Sequence, residues 1–418
     1  KTVFIKGALP TEKVSFRVLR EKKQFSEAET VEVLKESVER VRPACGYYET
    51  CGGCSLQHVS PTAQVALKQR ILEEQLERIG RVKPEQILPP IYGSAWHYRD
   101  RARLSVSVDK KGRLKMGFQA KKTNEVVDIE TCQVLPKHIS DVLPMVKLLL
   151  QTLSDGGAAV RFVEFFNSRA LVVLNICFIK KPSGYSLKQI ETWFDKISGG
   201  VKQVWQVWQV WFQYGREPST ALYPKDLPEL KYGLPEFSIE MPYQPGDFTQ
   251  INADLNAVMI SRALRLLDIQ PNDRVADLFC GLGNFSLPMA KSGASVTGIE
   301  GLDSLVLRAK QNALRNSCVK YVSFEVADLF ETDEQTVASW GVFDKMLLDP
   351  PRSGAYAVVK SLHAPYLPVK IVYVSCNPAT FARDAEVLVN KGYNFKSAGI
   401  MNMFAQTSHV ESIGVFEL

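Results

Sequence analysis

Cys376 and Glu411 are the residues of this chain best suited to covalent chemistry. Cys376 follows an apolar run at 371–374 and precedes an Asn-Pro pair, so we expect it in a loop at the end of a strand. Glu411 enters a second apolar strand, where a carboxylate has a raised pKa and can serve as a base. The alternatives are a buried, inert thiol, a surface glutamate on an edge strand, and His409 as the base.

A thiol and a base of this kind suit methylation of a pyrimidine carbon. C5 of uracil is a poor nucleophile, but addition of a thiolate to C6 makes an enolate whose C5 can attack a methyl sulfonium. A base must then remove the C5 proton so that the thiolate can leave. Methylation of nitrogen or oxygen needs no such adduct, so the pair favours a carbon target.

A glycine-rich turn, Asp277-Leu-Phe-Cys-Gly-Leu-Gly283, is the candidate site for the methyl donor. Its glycines let the backbone approach a ligand at the start of a helix. Glu300 ends the next strand, where a carboxylate can bind ribose hydroxyls, while Ser286 replaces the third glycine expected for NAD. The pattern resembles class I S-adenosylmethionine-dependent methyltransferases, and an ordinary tight turn is the alternative.

Two further aspartates follow predicted strands of the same region. Asp328 ends the third strand, where this class places a group against the adenine. Asp349, in Asp-Pro-Pro-Arg, ends the fourth strand at the carboxyl edge of the sheet, where ligands bind in such folds. Cys376 is expected at the same edge. A helix-capping role is the alternative for Asp349.

Four cysteines form the strongest ligand pattern. Cys45, Cys51 and Cys54 crowd into ten residues around a Gly-Gly pair, and Cys132 is a distant fourth. This three-plus-one spacing favours an iron–sulfur cluster of the [4Fe–4S] type. Structural zinc, which more often uses two paired knuckles, is the alternative. Crowded cysteines without a signal peptide also indicate a reducing cytoplasm rather than disulfides.

The charge is unevenly distributed along the 418 residues. Residues 246–418 carry 15 Lys and Arg against 18 Asp and Glu, whereas the other 245 residues carry 36 against 27. Cations also interleave with aromatic residues between Trp96 and Lys122, as in surfaces that stack unpaired bases and contact phosphates. The front half therefore predicts a nucleic-acid partner, although solvated surface charge is the alternative. With no apolar run of about 18 residues, no membrane helix is expected.

The rhythm of the chain predicts three domains. Residues 1–41 read as short basic strands of a small β-barrel, 42–240 as a mixed α+β domain with the cysteines, and 241–418 as a doubly wound α/β domain. A helix is predicted near 61–79, with Lys68, Arg70 and Glu73 on its outer face. The tandem Val-Trp-Gln repeat at 204–211 has no physical explanation.

Six motifs in a fixed order resemble the RNA uracil-5-methyltransferase family, closest to its 23S ribosomal RNA branch with a [4Fe–4S] cluster. They are Cys45-x5-Cys-Gly-Gly-Cys-x-Leu-Gln-His58, Phe248-Thr-Gln250-Ile-Asn252, the Asp277 turn, Asp349-Pro-Pro-Arg352, Ser375-Cys376-Asn-Pro378 and His409-Val-Glu411. The resemblance implies that residues 1–41 are a TRAM domain. It also makes the 61–79 helix a candidate to pack on the catalytic domain, which would render the domains discontinuous.

The resemblance further implies roles for individual residues. Cys376 would be the nucleophile and Glu411 the acceptor of the C5 proton, with Asp349 and Gln250 near the target base. Residues implied around S-adenosylmethionine are Gln250, Phe279, Asn284, Glu300, Asp328 and Asp349, and those implied at the cluster are Cys45, Cys51, Cys54 and Cys132. A cytoplasmic monomer is expected. The alternatives are a transfer-RNA uridine methyltransferase and a cluster-bearing RNA-binding protein without catalysis.

Overall fold

The computed structural model describes residues 2–169, 171–200, 207–226 and 229–418. Within these ranges the strands form three larger sheets and one hairpin. The Trp-rich repeat at 204–211 lies partly outside the described residues, and its second half begins a strand at Val207. None of the described helices combines the length and apolar character needed to cross a membrane.

The first sheet has three strands in the order β1-β3-β2. Their bounds are β1 (Thr2–Lys6), β2 (Lys13–Glu21) and β3 (Phe25–Lys35). β1 and β3 run parallel, and β2 and β3 antiparallel. The described residues thus give a small open sheet, and the closed barrel expected for 1–41 stays a prediction. Lys122 reaches Glu29 of β3 at 3.4 Å and links this sheet to the central region.

The central sheet has the order β10-β9-β8-β7-β5-β6 and packs against α2. The elements are β5 (Arg101–Val108), β6 (Leu114–Gly117), α2 (Lys137–Asp155), β7 (Val160–Asn167), β8 (Leu171–Phe178), α3 (Gly184–Gly200), β9 (Val207–Tyr214) and β10 (Thr220–Tyr223). β8 is buried along its whole length, as expected for an apolar strand covered on both faces. β8 and β9 are parallel because α3 crosses between them.

The third sheet has eight strands in the order β15-β14-β13-β16-β17-β19-β18-β4. The strands are β4 (Gln86–Ile87), β13 (Arg274–Leu278), β14 (Ser295–Glu300), β15 (Val322–Val326), β16 (Lys345–Leu348), β17 (Lys370–Ser375), β18 (Asn394–Met401) and β19 (Glu411–Glu417). Its helices are α4 (Ala253–Leu267), α5 (Ser286–Ala290), α6 (Asp303–Arg315), α7 (Glu334–Trp340), α8 (Tyr356–Ser361) and α9 (Pro378–Asn390). Strands β13 to β17 are parallel, and β19 enters antiparallel between β17 and β18.

Two segments from earlier in the chain join this third layer. The hairpin of β11 (Lys231–Leu234) and β12 (Ile239–Pro242) packs into the same core as α4. α1 (Pro61–Gln75), followed by a π-turn at Leu76–Gly80, packs on α9, and β4 pairs with β18. A Cβ at Gly80 would overlap the carbonyl oxygen of Ala382, so this helix contact requires glycine.

The predicted outer face of α1 is wrong at Lys68. This side chain is fully buried, although Arg70 and Glu73 are exposed as expected. The Lys68 ammonium donates to Asn402 Oδ1 at 2.7 Å and to the carbonyl oxygen of Phe404 at 2.9 Å. These acceptors lie more than three hundred residues downstream, where a helical pattern in the sequence carries no information about them.

Candidate active site

Cys376 and Glu411 meet because β19 runs antiparallel beside β17. The ladder ends with Ser375 paired to Ser412, so Cys376 directly follows the last paired residue of β17 and Glu411 directly precedes that of β19. The two side chains are close enough for the charge of Glu411 to act on the Cys376 thiol. Asp349 follows β16, the neighbour of β17 on its other side, and therefore lies at the same edge of the sheet. The structure brings all three predicted groups together.

These three groups are acidic and largely withdrawn from water. Glu411 is 3% exposed, and burial, followed by the nearby Asp349, holds its pKa well above the usual range. Burial raises the pKa of Asp349 to about 7. Burial, then Glu411 and Asp349, raise the pKa of the Cys376 thiol to about 11, while Arg352 opposes the shift. The surroundings therefore favour the neutral forms of Cys376, Glu411 and Asp349, and a bound cationic ligand would favour their ionised forms.

His409, the competing base, lies in different surroundings. It is exposed, and its Nδ1 is 3.0 Å from Nη2 of Arg352. Partial burial, followed by the charge of Arg352, lowers the pKa of His409. Asn377, the residue after Cys376, donates from its side-chain amide to the backbone oxygen of Arg352 at 2.9 Å. This hydrogen bond ties the loop after Asp349 to the loop after β17. This geometry favours Glu411 as the base.

The turn after β13 contains three residues in left-handed backbone conformation, Phe279, Gly281 and Gly283, at φ of 64°, 56° and 91°. Phe279 is unusual there because side chains disfavour this region. Asp277, at the end of β13, is fully buried and accepts a hydrogen bond from Ser286. Burial raises the pKa of Asp277 to about 7, and its Oδ1 has no partner. Such a turn presents backbone groups to a ligand.

Glu300 supports this turn as well as facing it. Its two carboxylate oxygens accept from the backbone amides of Gly281 and Leu302, each at 3.1 Å. Each oxygen keeps a further lone pair that can accept from a ribose hydroxyl, and the ribose contact stays a prediction. Asp328 is exposed and accepts from the amide of Phe330 at 2.9 Å. The rings of Phe330 and Phe279 lie 5.7 Å apart and form one apolar wall that the sequence reading missed.

Asn284 is engaged by partners that the sequence reading also missed. Its amide exchanges two hydrogen bonds with Asn256 of α4, at 3.0 and 3.1 Å. Its oxygen also accepts from the hydroxyl of Tyr232 at 2.8 Å. Asn284 therefore fixes the glycine turn against α4 and the β11–β12 hairpin. Asn256 is a buried polar residue of α4, and nothing in its local sequence indicated this contact.

The segment that carries Gln250 is anchored to the central sheet through Asp100. The amide of Asp100 donates to the oxygen of Ile251 at 2.7 Å, and its carboxylate accepts from the amide of Ala253 at 3.1 Å and from Asn167 at 2.7 Å. Gln250 itself is half-buried. The central domain thus sets the position of a residue predicted to contact donor and target base.

Cys45, Cys51, Cys54 and Cys132 line one cavity of about 190 Å³. Burial raises the pKa of Cys132 to about 11 and also raises the pKa of Cys54, with smaller contributions from neighbouring thiols. Among the described residues, no group of three or more Cys, His, Asp or Glu side chains is arranged to hold a metal ion. The structure thus brings the four predicted cysteines to one cavity, and the cluster they were predicted to hold stays a prediction.

The loop around the cysteines is shaped by close backbone contacts. A Cβ at Gly52 would lie 2.8 Å from the oxygen of Gln119, and the amide of Gly52 donates to that oxygen at 2.9 Å. The amide of Gly53 points to Sγ of Cys51 at 3.4 Å, a contact that favours a thiolate. Gly52 is therefore required by its close contact with the backbone of Gln119.

The predicted RNA surface is only partly free for a ligand. Arg103 is paired with Glu164 at 2.9 Å, and Arg113 with Asp109 at 2.8 Å. Lys121 lies over the ring of Tyr48, 4.0 Å from its centroid. Arg101 and Lys122 are likewise near Glu164 and Glu29, at 3.8 and 3.4 Å, whereas Lys110, Lys111 and Lys115 are exposed.

Comparison with known proteins assigns the chain to a family. A family model described as tRNA (Uracil-5-)-methyltransferase matches residues 236–417. A relative from Neisseria lactamica, named 23S rRNA (uracil(1939)-C(5))-methyltransferase RlmD, is 62% identical over 100% of this chain and 91% of its own length. The chain belongs to the RNA uracil-C5-methyltransferase family. A Chromobacterium violaceum relative of the same name is 48% identical over 100% of this chain and 81% of its own length.

A solved structure shows the fold of this family over the whole chain. The Pyrococcus abyssi tRNA (uracil-54, C5)-methyltransferase, in complex with S-adenosyl-L-homocysteine, superimposes with a TM-score of 0.72 and 22% identity. The match covers 100% of this chain and 96% of that one. The predicted α/β fold of S-adenosylmethionine-dependent methyltransferases is confirmed.

The raised pKa of Asp349, which is half-buried, predicts a pH-dependent stability. Its folded pKa of about 7 exceeds the ordinary 3.8, so its contribution is full below about pH 3.8 and is lost as pH rises through about 7. Between about pH 3.8 and 7, we expect the melting temperature of Asp349→Asn to fall less than that of the wild type. Loss of the charge also weakens repulsion on Asp277 and Glu411, which acts in the same direction. Thermal unfolding followed by fluorescence gives the melting temperature of each protein at each pH. The same dependence of melting temperature on pH in both proteins would contradict the prediction.

Proposed function

We propose that the protein transfers the methyl group of S-adenosylmethionine to C5 of a uridine in 23S ribosomal RNA, with Cys376 as nucleophile. The observation that carries this proposal is the meeting of Cys376, Glu411 and Asp349 at one sheet edge beside the glycine turn. A thiol, a buried carboxylate and a donor site at one edge are what C5 methylation requires. Oxygen or nitrogen methylation would use neither the thiol nor the base.

The donor would bind along the edge formed by the turn after β13. Phe279, Glu300 and Asp328 supply an apolar wall and two carboxylates there, with Phe330 as a further contact. Asn284 holds the turn, and Gln250 extends from the opposite segment. The sulfonium of the donor brings a positive charge to an acidic edge, which favours the anionic forms of Cys376 and Glu411.

Cys376 and Glu411 would divide the reaction between them. The thiolate of Cys376 adds to C6 of the flipped uracil, and C5 then takes the methyl group as S-adenosylhomocysteine leaves. Glu411 next removes the C5 proton, and the bond between Sγ and C6 breaks. Its raised pKa makes Glu411 a stronger base than an ordinary carboxylate. Asp349 would hold the ring by a hydrogen bond to its polar edge.

Ribosomal RNA is the proposed substrate because relatives covering the whole chain carry that name. The family model is named for transfer RNA, so tRNA is the competing substrate. The basic front half and the four clustered cysteines support the ribosomal branch. In this proposal residues 1–41 form a TRAM-type RNA-binding unit, 42–240 the cysteine-bearing RNA-binding unit, and 241–418 the methyltransferase. The units are discontinuous, because α1, β4 and the β11–β12 hairpin pack with the methyltransferase layer.

The four cysteines would hold a [4Fe–4S] cluster. Their donor set, the cavity between them and the amide that faces Cys51 support this assignment. Such a cluster can carry electrons, but methyl transfer is not a redox reaction. The cysteines would therefore shape the region that binds RNA, and no step of the proposed mechanism passes through them.

Removal of the base should trap the covalent intermediate. In Glu411→Gln, addition and methyl transfer are retained but C5 deprotonation fails, so a methylated RNA–protein adduct accumulates. A denaturing gel with labelled RNA shows the adduct as a retarded band. Cys376→Ala is the matched control, which should bind S-adenosylmethionine yet form no adduct and lose activity by at least about 10⁴-fold. Methylation by Cys376→Ala would refute the covalent mechanism.

A methylation assay that compares ribosomal RNA with tRNA identifies the substrate. Ribosomal RNA and tRNA from a strain lacking the enzyme should be offered to the purified protein, and 5-methyluridine mapped in each. We expect a new 5-methyluridine in 23S ribosomal RNA and none in tRNA. Methylation confined to tRNA would overturn the ribosomal assignment while leaving the chemistry intact.

Iron and sulfide analysis tests the cluster. Protein purified without oxygen should contain both elements and absorb visible light, and Cys132→Ala should lose most of each. Cys318→Ala is the control, because Cys318 is a buried thiol in the core of the methyltransferase domain. Zinc in place of iron, or equal iron in both variants, would contradict the assignment.

A further inference from the structure

The loop between β18 and β19, residues 402–409, is held by a distant part of the chain. The amide of Asn402 donates to the oxygen of Ile91 at 2.7 Å, and the hydroxyl of Tyr98 donates to the oxygen of Ala405 at 2.7 Å. The amides of Ser55 and Leu56 both donate to the oxygen of Gln406, at 2.8 and 3.0 Å. The loop therefore takes its shape from residues 55–98.

Gln64 makes the most specific of these contacts. Its Nε2 donates to Oε1 of Gln406 at 2.9 Å, and its Oε1 accepts from the amide of Gln406 at 2.9 Å. Both side chains are buried, at 0% and 1% exposure. Gln406 has φ of 65°, a conformation that residues other than glycine rarely adopt. A two-point amide contact thus holds the one left-handed residue among those of the loop.

Lys68 holds the first half of the same loop. Its ammonium reaches Asn402 Oδ1 and the oxygen of Phe404, as described above, and burial lowers its pKa to about 8. Burying an ammonium is unfavourable unless it is hydrogen-bonded. The hydrogen bonds to Asn402 and Phe404 offset the unfavourable burial of the Lys68 ammonium. The lysine and the loop therefore hold each other in place.

Both ends of the loop bear on Glu411. Met401, just before the loop, pairs with Glu411 in the β18–β19 ladder. Near the other end, the amide of Ser408 donates to Oγ of Ser55 at 2.9 Å. A shift of the loop would therefore move Glu411. Cys376 is less dependent on the loop, because it follows β17, which is paired with β16 on its other side.

We propose that Gln64 and Lys68 are positioning residues for proton removal by Glu411. This inference rests on the proposed function and adds to it a set of residues outside the methyltransferase sequence motifs. The proposal treats two steps of the reaction differently. Without the loop contacts, Cys376 should still form the adduct with RNA, but release of the methylated RNA from Cys376 should slow. Ser55 and Leu56 directly follow Cys54, so the cysteine segment supports the same loop.

Gln64→Met tests the proposal, since methionine keeps the side-chain length and helix preference but removes both contacts with Gln406. It also removes the hydrogen bonds that Nε2 of Gln64 donates to the oxygens of Leu56 and Val59, at 3.1 and 2.9 Å, so Ser55→Ala is the check that leaves those bonds in place. We expect adduct release to slow by about tenfold or more, because small displacements of a catalytic group have large effects on rate. The covalent methylated adduct should then accumulate, with affinity for S-adenosylmethionine and single-turnover methyl transfer near wild type. Gln69→Met is the matched control, because Gln69 donates to Glu73 on its own helix at 2.8 Å.

Other outcomes are equally decisive. Equal loss of donor binding, methyl transfer and release in Gln64→Met would show a merely structural role and overturn the proposal, as would unchanged release. Ser55→Ala, a mild change at an exposed residue, should slow release in the same direction and decides the matter if Gln64→Met fails to fold. Absence of any adduct in Glu411→Gln would instead mean that the proposed function has failed.

Discussion

The antiparallel entry of β19 between β17 and β18 is the constraint on which the site depends. Parallel strands of a doubly wound sheet bring only their carboxyl ends to the ligand edge. A strand of opposite direction begins at that edge, so its first residue stands beside the last residues of its neighbours. Glu411 is that first residue, and the pairing of Ser375 with Ser412 delivers it to Cys376. A sheet of only parallel strands would have left the two far apart.

The electrostatics of the edge follow from this arrangement. Burial, followed by the charges of Glu411 and Asp349, raises the pKa of the Cys376 thiol. Burial, followed by the charge of Asp349, likewise raises the pKa of Glu411. An acidic, poorly hydrated edge is an unfavourable place for a lone thiolate, but it suits a cationic donor. In the proposed mechanism, binding of the cationic donor would therefore favour the thiolate of Cys376, and the unliganded protein would keep this thiol protonated and less open to oxidation.

The sequence was sufficient for elements whose signal is local. Apolar runs ending in Asp277, Asp349 and Cys376 predicted strands that end at one edge, and the structure has them there. It failed for contacts made by residues far apart in the chain. Lys68 was assigned to solvent because a helical pattern records only spacing, and the acceptors on residues 402–404 belong to another element. Likewise, the pairing of Asn284 with Asn256 and Tyr232 depends on how α4 and the hairpin pack, which no local motif encodes.

The contacts of the 402–409 loop also bear on how the protein is made. Gln64 and Gln406 are separated by 342 residues, and Ser55 and Ser408 by 353. At the usual pace of synthesis, about 5–20 residues per second, roughly 20 to 70 s pass between translation of the two halves. Throughout that interval the segment with Cys45, Cys51 and Cys54 lacks the partners that later cover its end. The cavity of the thiols can form earlier, because Phe118, Ile129 and Cys132 line it, but the contacts of Ser55 and Leu56 with Gln406 must follow translation of β18.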